Sequence, residues 1–527
     1  MMRRYSCAIG ALALVLGCGD GAAGSGGTGT GDASTAAATG GTAATSAGPG
    51  DMSETTPTTG AQGTGDTVSG TGGTGDTESE TGDTGPAPVD CGGFTPGNDF
   101  NVCSATYLGG AGADAAGGVD FAPDGTLVVG GGFPGHDFGV APTVIGDGDG
   151  AVVRLSPSGA QVLSVTRLGA AVRDLEVAPD GTIAVVGNFG VARLAADGSA
   201  ALWTAAIGEA ERVAVGSDGT IAALHGKDVE VFDAGGAALG SFGVSGTSIH
   251  DIALDGASQS VFATGYRQSD QGECQQYKST FIRSYAYDGA IEWVNYDWNG
   301  EDVDDTEDCA DSTGFGVAIG RDGKLYYAAK SDGGNTVHRK QPRDLTQNAP
   351  NVATDPYDTP YGLKGANAVG YYARFDPATG EHEGGQFLVS RKAGPGEEPA
   401  AAEANAAPPN KATALADGTI VVIGNSAYLL AGHDDKSIDG VPLGAYTAYE
   451  PYVLLVSPDF TQRLAWTAFT AAGPGSAHAV AVGQGHVAAL FGQSAEDVAK
   501  GPLITVDALQ PAPAGDAEAW LTVFPTP

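Results

Sequence analysis

Short runs of alternating apolar and polar residues recur along the chain after Cys103, and most are interrupted by an Asp-Gly pair. The run from Val119 to Gly130 reads VDFAPDGTLVVG, and the run from Leu175 to Gly187 reads LEVAPDGTIAVVG. A period of two predicts strands, and the Asp-Gly pair predicts a hairpin because glycine supplies the positive φ of a tight turn. Seven copies follow this pattern, at residues 119–130, 175–187, 213–224, 252–265, 317–328, 414–424 and 480–492.

Each copy is followed by a second hairpin, such as Ala151 to Gly159 (AVVRLSPSG), so that one unit holds about four strands, a to d. Four-stranded units repeated radially form a β-propeller. The seventh unit ends after its third strand, and one strand, Ala105 to Gly110 (ATYLGG), precedes the first unit. The sequence therefore predicts an all-β protein with a single propeller of about seven four-stranded blades, in which this early strand closes the ring. Six or eight blades would follow from one misread unit.

The first unit also carries a family resemblance. The segment from Thr106 to Gly110 (TYLGG), the PDGT turn and the strand AVVRLSPSG are similar to the bacterial β-propeller repeat family with its YLGG-type strand. The resemblance weakens in later units, where Arg167-Leu168-Gly169 keeps only part of the motif. It implies a propeller in an extracellular setting, and it implies no reaction because propellers host many functions.

The N-terminus has the features of an export signal. Arg3 and Arg4 precede a short apolar run, which is too short to span a membrane and ends in Val-Leu-Gly-Cys at Cys18. This tetrapeptide resembles the lipobox of bacterial lipoproteins, which implies that residues 1–17 are removed and that Cys18 carries lipid. An ordinary secretory signal cleaved nearby is the alternative. Gly19 and Asp20 do not form the usual retention signal, which favours the outer membrane or the cell surface.

Residues 18–90 consist mainly of Gly, Thr, Ala, Ser and Asp. They cannot bury enough apolar surface to offset the cost of ordering the backbone, so we expect a disordered tether. The propeller domain is expected to occupy residues 91–527. The whole chain has 85 glycines and a formal net charge of −38, which favours short strands over helices and excludes nucleic acid as a partner.

Four cysteines remain after the signal and the lipidation site, namely Cys91, Cys103, Cys274 and Cys309. An even number in an exported protein predicts two disulfides. Cys91 and Cys103 enclose a short loop before the closing strand. Cys274 and Cys309 fall in successive connections of one unit, so a bridge between them would join two long loops. Four free thiols are the alternative.

The long segments of the domain are all b–c or d–a connections, which emerge on one face of a propeller. Loops on a rigid scaffold commonly carry binding function, so this loop face is the candidate site. The start of strand a in each unit opens toward the central channel on that face; the residues are Gly117, Arg173, Glu211, His250, Phe315, Lys411 and His478. The five charged or imidazole side chains, Arg173, Glu211, His250, Lys411 and His478, are candidate ligand-binding residues. Ordinary solvation of strand starts is the alternative.

Two acidic segments are weak candidates for calcium, through Asp147 and Asp149 in GDGDG and through Asp302 and Asp304 in EDVDDTEDCAD. Calcium takes six to eight oxygen ligands, and neither segment supplies a complete binding loop. A solvated acidic loop is the alternative for both. The histidines show no zinc-binding spacing, so we predict no other metal and no cofactor.

These patterns favour a membrane-anchored, exported, monomeric lipoprotein at the outer membrane or cell surface. We expect it to be a non-enzymatic module that binds a protein or glycan partner through its loop face. The alternatives are a propeller-type enzyme (a lactonase, a lyase or a quinone-dependent dehydrogenase) and a calcium-dependent adhesin.

Overall fold

Seven sheets, each with four antiparallel strands in sequential order, form the body of the protein. The structure is a computed structural model. It describes residues 91–527 except 275, 355–367, 392–403, 427–429, 431, 445, 447–448, 470–475, 484–486, 494–501 and 516. No helix among these residues is long and apolar enough to cross a membrane.

The four strands of each sheet are named a to d from the centre outward, and the sheets are numbered as blades. Blade 1 comprises Ala115–Phe121, Leu127–Gly132, Gly150–Leu155 and Val162–Leu168. Blade 2 comprises Val172–Val177, Ile183–Gly187, Gly190–Leu194 and Ala201–Ala205. Blade 3 comprises Arg212–Val215, Ile221–His225, Asp228–Phe232 and Ala238–Gly243. Blade 4 comprises Ser248–Asp255, Ser260–Ser269, Tyr277–Ala286 and Ile291–Tyr296. Blade 5 comprises Ser312–Ile319, Leu325–Ser331, Val369–Phe375 and His382–Arg391. Blade 6 comprises Pro409–Ala414, Ile420–Ser426, Glu450–Val456 and Arg463–Ala468. Blade 7 comprises Ser476–Val482, Val487–Gln493, Ala519–Pro525 and Ser104–Leu108.

The blades form a closed ring. Strand a of each blade lies beside strand a of the next, and blade 7 returns to blade 1. Strand d of blade 7 is Ser104–Leu108, which comes from the start of the domain and pairs antiparallel with Ala519–Pro525. The predicted propeller, its seven blades and the identity of the closing strand are all confirmed. Tyr107 and Trp520 face each other across this pairing and are fully buried, so the seam is packed as tightly as a core.

The Asp-Gly hairpins form as the sequence predicts. Gly125 and Gly181 have φ values of +79° and +83°, which are unfavourable for any other residue. In both turns the preceding aspartate accepts a hydrogen bond from the threonine after the glycine, for example from Thr126 N to Asp124 Oδ1 at 3.0 Å. These local bonds fix the register of strands a and b, and therefore decide which residues face the neighbouring blades.

The long connections add short elements around the rim. Thr143–Val144 and Val352–Thr354 pair parallel with strand d of blades 1 and 5, respectively. The remaining elements are the strand Ala404–Ala406 on strand d of blade 5, the hairpin Lys340–Gln341 and Asp344–Asn348, the small sheet Asp99–Phe100, Ser437–Ile438 and Val441–Pro442, the helix Gly300–Asp304, and 3-10 turns at Val337–Arg339 and His433–Asp435.

Both predicted disulfides are present, between Cys91 and Cys103 and between Cys274 and Cys309. The second joins the b–c and d–a connections of blade 4, and the short helix Gly300–Asp304 lies between its two cysteines. Asp304 in that helix accepts hydrogen bonds from the amides of Glu273 and Cys274 at 2.6 and 2.9 Å. The bridge and these bonds together tie two long loops to each other.

A pair of buried carboxyl groups lies at the seam where the ring closes. Asp114 and Glu518 are both fully buried, Asp114 accepts a hydrogen bond from Gly110 N at 2.8 Å, and Glu518 accepts bonds from Ala514 N and Gly515 N. Burial and the neighbouring Glu518 carboxyl raise the pKa of Asp114 from 3.8 to about 7, although the Gly110 amide opposes the shift.

Replacing Asp114 should change how stability depends on pH. Because its folded-state pKa is raised, the stability that the bound proton brings is present below about pH 4 and is lost as pH rises to about 7. Asp114→Asn keeps an acceptor for Gly110 N and never ionises. We expect its melting temperature to fall less than that of the wild type from pH 4 to 8 and to exceed it by roughly 2 °C or more at pH 8. The exposed Asp147→Asn is the control, and parallel curves for Asp114→Asn and wild type would contradict this assignment.

Candidate functional site at the channel mouth

The innermost strands share one irregularity at their start. In six blades the a–b register shifts by one residue, between residues 116 and 119, 172 and 174, 249 and 251, 314 and 316, 409 and 411, and 477 and 479. A β-bulge of this kind leaves one residue unpaired and re-aims its side chain. The bulged residues include Arg173, His250, Phe315 and His478, and Glu211 directly precedes strand a of blade 3. They form a ring, here called the mouth, on the loop face of the channel.

The side chains of the mouth contact one another across blades. Arg173 pairs with Glu209 in a close contact and lies 4.0 Å from Glu211. His250 Nδ1 donates to Gly314 O of the next blade at 2.8 Å, and its ring stacks on Phe315 with centroids 6.1 Å apart. Three of the five predicted ligand-binding residues, Arg173, Glu211 and His250, therefore take part in these contacts, in a surface that mixes charge with an aromatic pair. His478 contacts Ser476 of its own strand at 2.7 Å.

The two histidines of the mouth are neutral at pH 7. Burial lowers the pKa of His250. Desolvation by the surrounding protein and the Arg212 guanidinium lower the pKa of His478 to about 4, although part of this residue is exposed. The fixed charges of the mouth are therefore those of Arg173, Arg212 and the two glutamates.

Lys411 lies one residue beyond the mouth. The bulged residue of blade 6 is Asn410, whose side-chain amide donates to Ala477 O of blade 7 at 2.8 Å. Lys411 instead points into the channel, where its ammonium lies 3.5 Å from Asp251. The sequence alignment placed it at the mouth because the extra bulge residue cannot be recognised from the pattern of apolar positions.

A set of carboxylates below the mouth joins neighbouring blades. Each accepts a hydrogen bond from a backbone N–H on the inner edge of strand a in the next blade. The pairs are Val177 N to Asp120 at 2.8 Å, Val213 N to Asp174 at 3.2 Å, Val215 N to Glu176 at 2.6 Å and Val317 N to Asp251 at 3.0 Å. These four residues are called the clamp carboxylates. They satisfy amides that no further strand can reach, since only the channel lies beyond them.

The clamp carboxylates share the channel with a few cations. All seven blades contribute to the wall of a central cavity of about 210 Å³, which includes Asp120, Asp174, Glu176, Lys411 and Arg321. Burial raises the pKa of Glu176 to about 8, and it also raises the pKa of Asp120 and Asp174. Burial alone would lower the pKa of Lys411, but the surrounding carboxylates raise it. Lys411 therefore stays charged and offsets part of the negative charge in the channel.

The sequence analysis missed the clamp carboxylates. A usable signal was present, since Asp174 and Glu176 alternate with apolar residues in a strand that is otherwise buried. A carboxylate inside a buried strand needs a hydrogen-bond donor, and the free inner edge of the next blade supplies one.

The calcium candidates lie in two different settings. Asp147 and Asp149 are exposed in the b–c connection of blade 1. Asp302 closes the capping box of the short helix by accepting from Asn299 N at 2.9 Å, and Asp304 holds the amides beside Cys274. In the described part of the chain, the one cluster of three potential metal ligands is Cys274, Asp304 and Cys309, and its two sulfurs form the disulfide. The calcium prediction remains open.

Comparisons with known proteins give one short family match and several similar solved structures. Residues 178–200, in blade 2, match a family described as a β-propeller domain of unknown function (DUF5122). The fold is similar to a structure of U3-55K, at 9% identity and a TM-score of 0.44 over 81% of this chain and 99% of that one. The crystal structure of the RRP9 WD40 repeats is similar at 9% identity and a TM-score of 0.44, over 80% of this chain and 99% of the other. Among curated proteins no sequence matches significantly. The chain is a β-propeller protein.

Substitution of one clamp carboxylate should separate its two tasks. Asp251 is almost fully buried, accepts from Val317 N, and lies 3.6 Å from Arg212 and 3.5 Å from Lys411. Asp251→Ala removes both the acceptor and the charge, so we expect a loss of about 3–5 kcal/mol in the free energy of unfolding. Asp251→Asn keeps an acceptor, and we expect a loss of about 1–2 kcal/mol. Chemical denaturation measures both losses. Equal losses would show that the hydrogen bond from Val317 N contributes nothing to the free energy of unfolding.

Proposed function

We propose that this protein is an exported lipoprotein, held at the outer membrane or cell surface through Cys18, whose propeller binds a protein or glycan partner at the mouth. The ring of bulged residues carries the proposal. Regular strands would pair these positions within the sheet, whereas the bulges of six blades leave such positions unpaired, and four of these blades supply Arg173, His250, Phe315 and His478. Bulges recur at binding and active sites for this reason.

The composition of the mouth favours binding over chemistry. Arg173, Glu209 and Glu211 keep between about a third and three fifths of their side-chain surface exposed, so their charges are available to a partner. His250 and Phe315 offer an aromatic surface on which a sugar ring or an aromatic side chain can stack. The clamp carboxylates, by contrast, are engaged by backbone amides, and that role accounts for their placement without a reaction.

The export of the chain is supported by the two disulfides. Disulfides persist in oxidising compartments and are rare in the cytosol. Both bridges lie in loops that they fix in place, which suits a domain that works outside the cell.

Lipid attachment can be tested with two cysteine variants. Cys18→Ser removes the proposed acylation site, and each acyl chain contributes about 0.8 kcal/mol of membrane affinity per buried methylene group. We expect this variant to move from the membrane fraction to the soluble fraction, or to stay unprocessed. Cys7→Ser, within the proposed leader, should behave like the wild type. Equal fractionation of all three proteins would contradict the lipobox assignment and favour an ordinary secretory signal.

Ligand binding at the mouth can be tested by thermal shift on the full chain. The probes are peptidoglycan fragments and a panel of sugars. A ligand that binds only the folded state stabilises it by about 2.7 kcal/mol at a hundred times its dissociation constant. We expect a rise in melting temperature with one probe class, which is lost in Arg173→Ala and Phe315→Ala. Asp288→Ala, at an exposed position in the c–d turn of blade 4 on the opposite face, should keep the rise. A rise that survives both mouth variants would contradict the site.

If no probe shifts the melting temperature, the glycan arm of the proposal fails. The protein arm is then tested with a photo-reactive residue at position 173, introduced in cells that produce the full chain. A cross-linked protein partner would support the mouth as an interaction surface. Cross-linking equal to that from a photo-reactive residue at position 288, on the opposite face, would contradict it.

A further inference from the structure

The outer edges of the blades are covered unevenly. In blades 1 and 5 an extra strand pairs parallel with strand d, with Thr143 opposite Thr166 and Val352 opposite Gly385. In blade 7, Ala105 and Val506 exchange two backbone hydrogen bonds of 2.8 and 3.0 Å. The chain thus shows what fits against a d strand, namely an extended segment that satisfies its outer backbone groups.

The three covering segments share a chemistry. Each belongs to the long b–c connection of its own blade and begins with a proline, followed by uncharged and mostly aliphatic residues. They read PTVI at residues 142–145, PNVA at 350–353 and PLITV at 502–506. The proline favours extended backbone at the start of the segment, and the aliphatic side chains suit the surface of a strand edge.

Among the described residues, no segment covers blades 2 and 3 in this way, and their b–c connections have only two residues each, at positions 188–189 and 226–227. In the described structure, Ala201–Ala205 and Ala238–Gly243 are the terminal strands of their sheets. Their sequences, ALWTA and ALGSFG, contain no proline and no charge. Natural proteins normally protect open edges with those residues or with bulges. Each of these edges has one bulge, at Leu202 and at Leu239, and the rest of each strand is an open edge to which a further strand can add.

The side chains of these two edges divide into partly buried and exposed sets. Trp203 and Phe242 pack on the next blade, against Phe232 and Tyr285. Leu202 and Leu239 are left 56% and 47% exposed at equivalent places in the two strands. The edges are therefore held rigid by one aromatic residue each, and they present one leucine each to an incoming strand.

We infer that the bare outer edges of blades 2 and 3 bind an extended segment of a partner protein, which adds as a strand parallel to strand d. The segment has the chemistry of the internal covers, with a proline followed by uncharged aliphatic residues. Exposed Asp197 and Asp228 stand near the ends of these edges in a chain of net charge −38, so the flanks of the segment are neutral or basic. This surface lies on the rim and is independent of the mouth.

The experiment uses the full chain and a synthetic peptide that copies residues 140–146 (VAPTVIG) with a lysine at each end. We expect saturable binding by fluorescence anisotropy and slower hydrogen exchange of amides in residues 201–205 and 238–243. The double variant Leu202→Lys and Leu239→Lys introduces the usual edge protection and should weaken binding about tenfold or more. A peptide N-methylated at alternate amides should not bind, because it cannot complete the hydrogen-bond ladder.

Leu163→Lys is the matched control, because Leu163 is 45% exposed at the equivalent place on strand d of blade 1, and Thr143–Val144 already covers that strand at Thr166 and Arg167. It should leave peptide binding unchanged. Absence of peptide binding, or binding that Leu163→Lys weakens as much as the double variant does, would overturn the inference. A dimer of the full chain that the double variant dissociates would also overturn it, since the occupant would then be a second copy. Unchanged melting temperatures confirm that the variants fold.

Discussion

The seven innermost strands present backbone amides to a channel where no further strand can pair with them. The structure meets this constraint with side chains, chiefly the clamp carboxylates, each of which reaches from one blade to a free N–H of the next. Carboxylates inside the ring then require cations, and Lys411 and Arg212 lie among them. The charge pattern of the channel therefore follows from backbone hydrogen bonding, and it would be needed whether or not the channel binds anything.

The outer edges of the same blades pose the opposite problem, because they face solvent and are open to other chains. In blades 1, 5 and 7, segments of the blade's own long connection pair with the outer strand. In blade 4, Tyr296 N donates one hydrogen bond to Pro342 O. In blades 1, 5 and 7 the long b–c connection thus covers part of the outer edge of its own blade. In blades 1 and 5 the covering part is a short strand parallel to strand d.

The architecture could be predicted from sequence because its signals are local and repeated. Each Asp-Gly turn between alternating runs fixes a hairpin, and the strand before the first unit matches the place left empty in the last one. The paired cysteines followed from the same topology. The bulges could not be predicted, since one extra residue at a strand start leaves the apolar pattern intact, and Lys411 was therefore placed one position too early. The clamp carboxylates were missed because their partners are amides of a neighbouring blade, which no single strand reveals.

The position of the first disulfide determines how a pull on the N-terminal side of the domain would be transmitted. Cys91 is bonded to Cys103, and Cys103 directly precedes the closing strand Ser104–Leu108. A tensile force arriving at Cys91 passes through the sulfur bridge and bypasses residues 92–102. It acts directly on the ladder between the closing strand and Ala519–Pro525. The hydrogen bonds that complete the ring are thus also the first ones that such a tension would stretch. When the Cys91–Cys103 bridge is reduced, residues 92–102 must extend before the force reaches these hydrogen bonds.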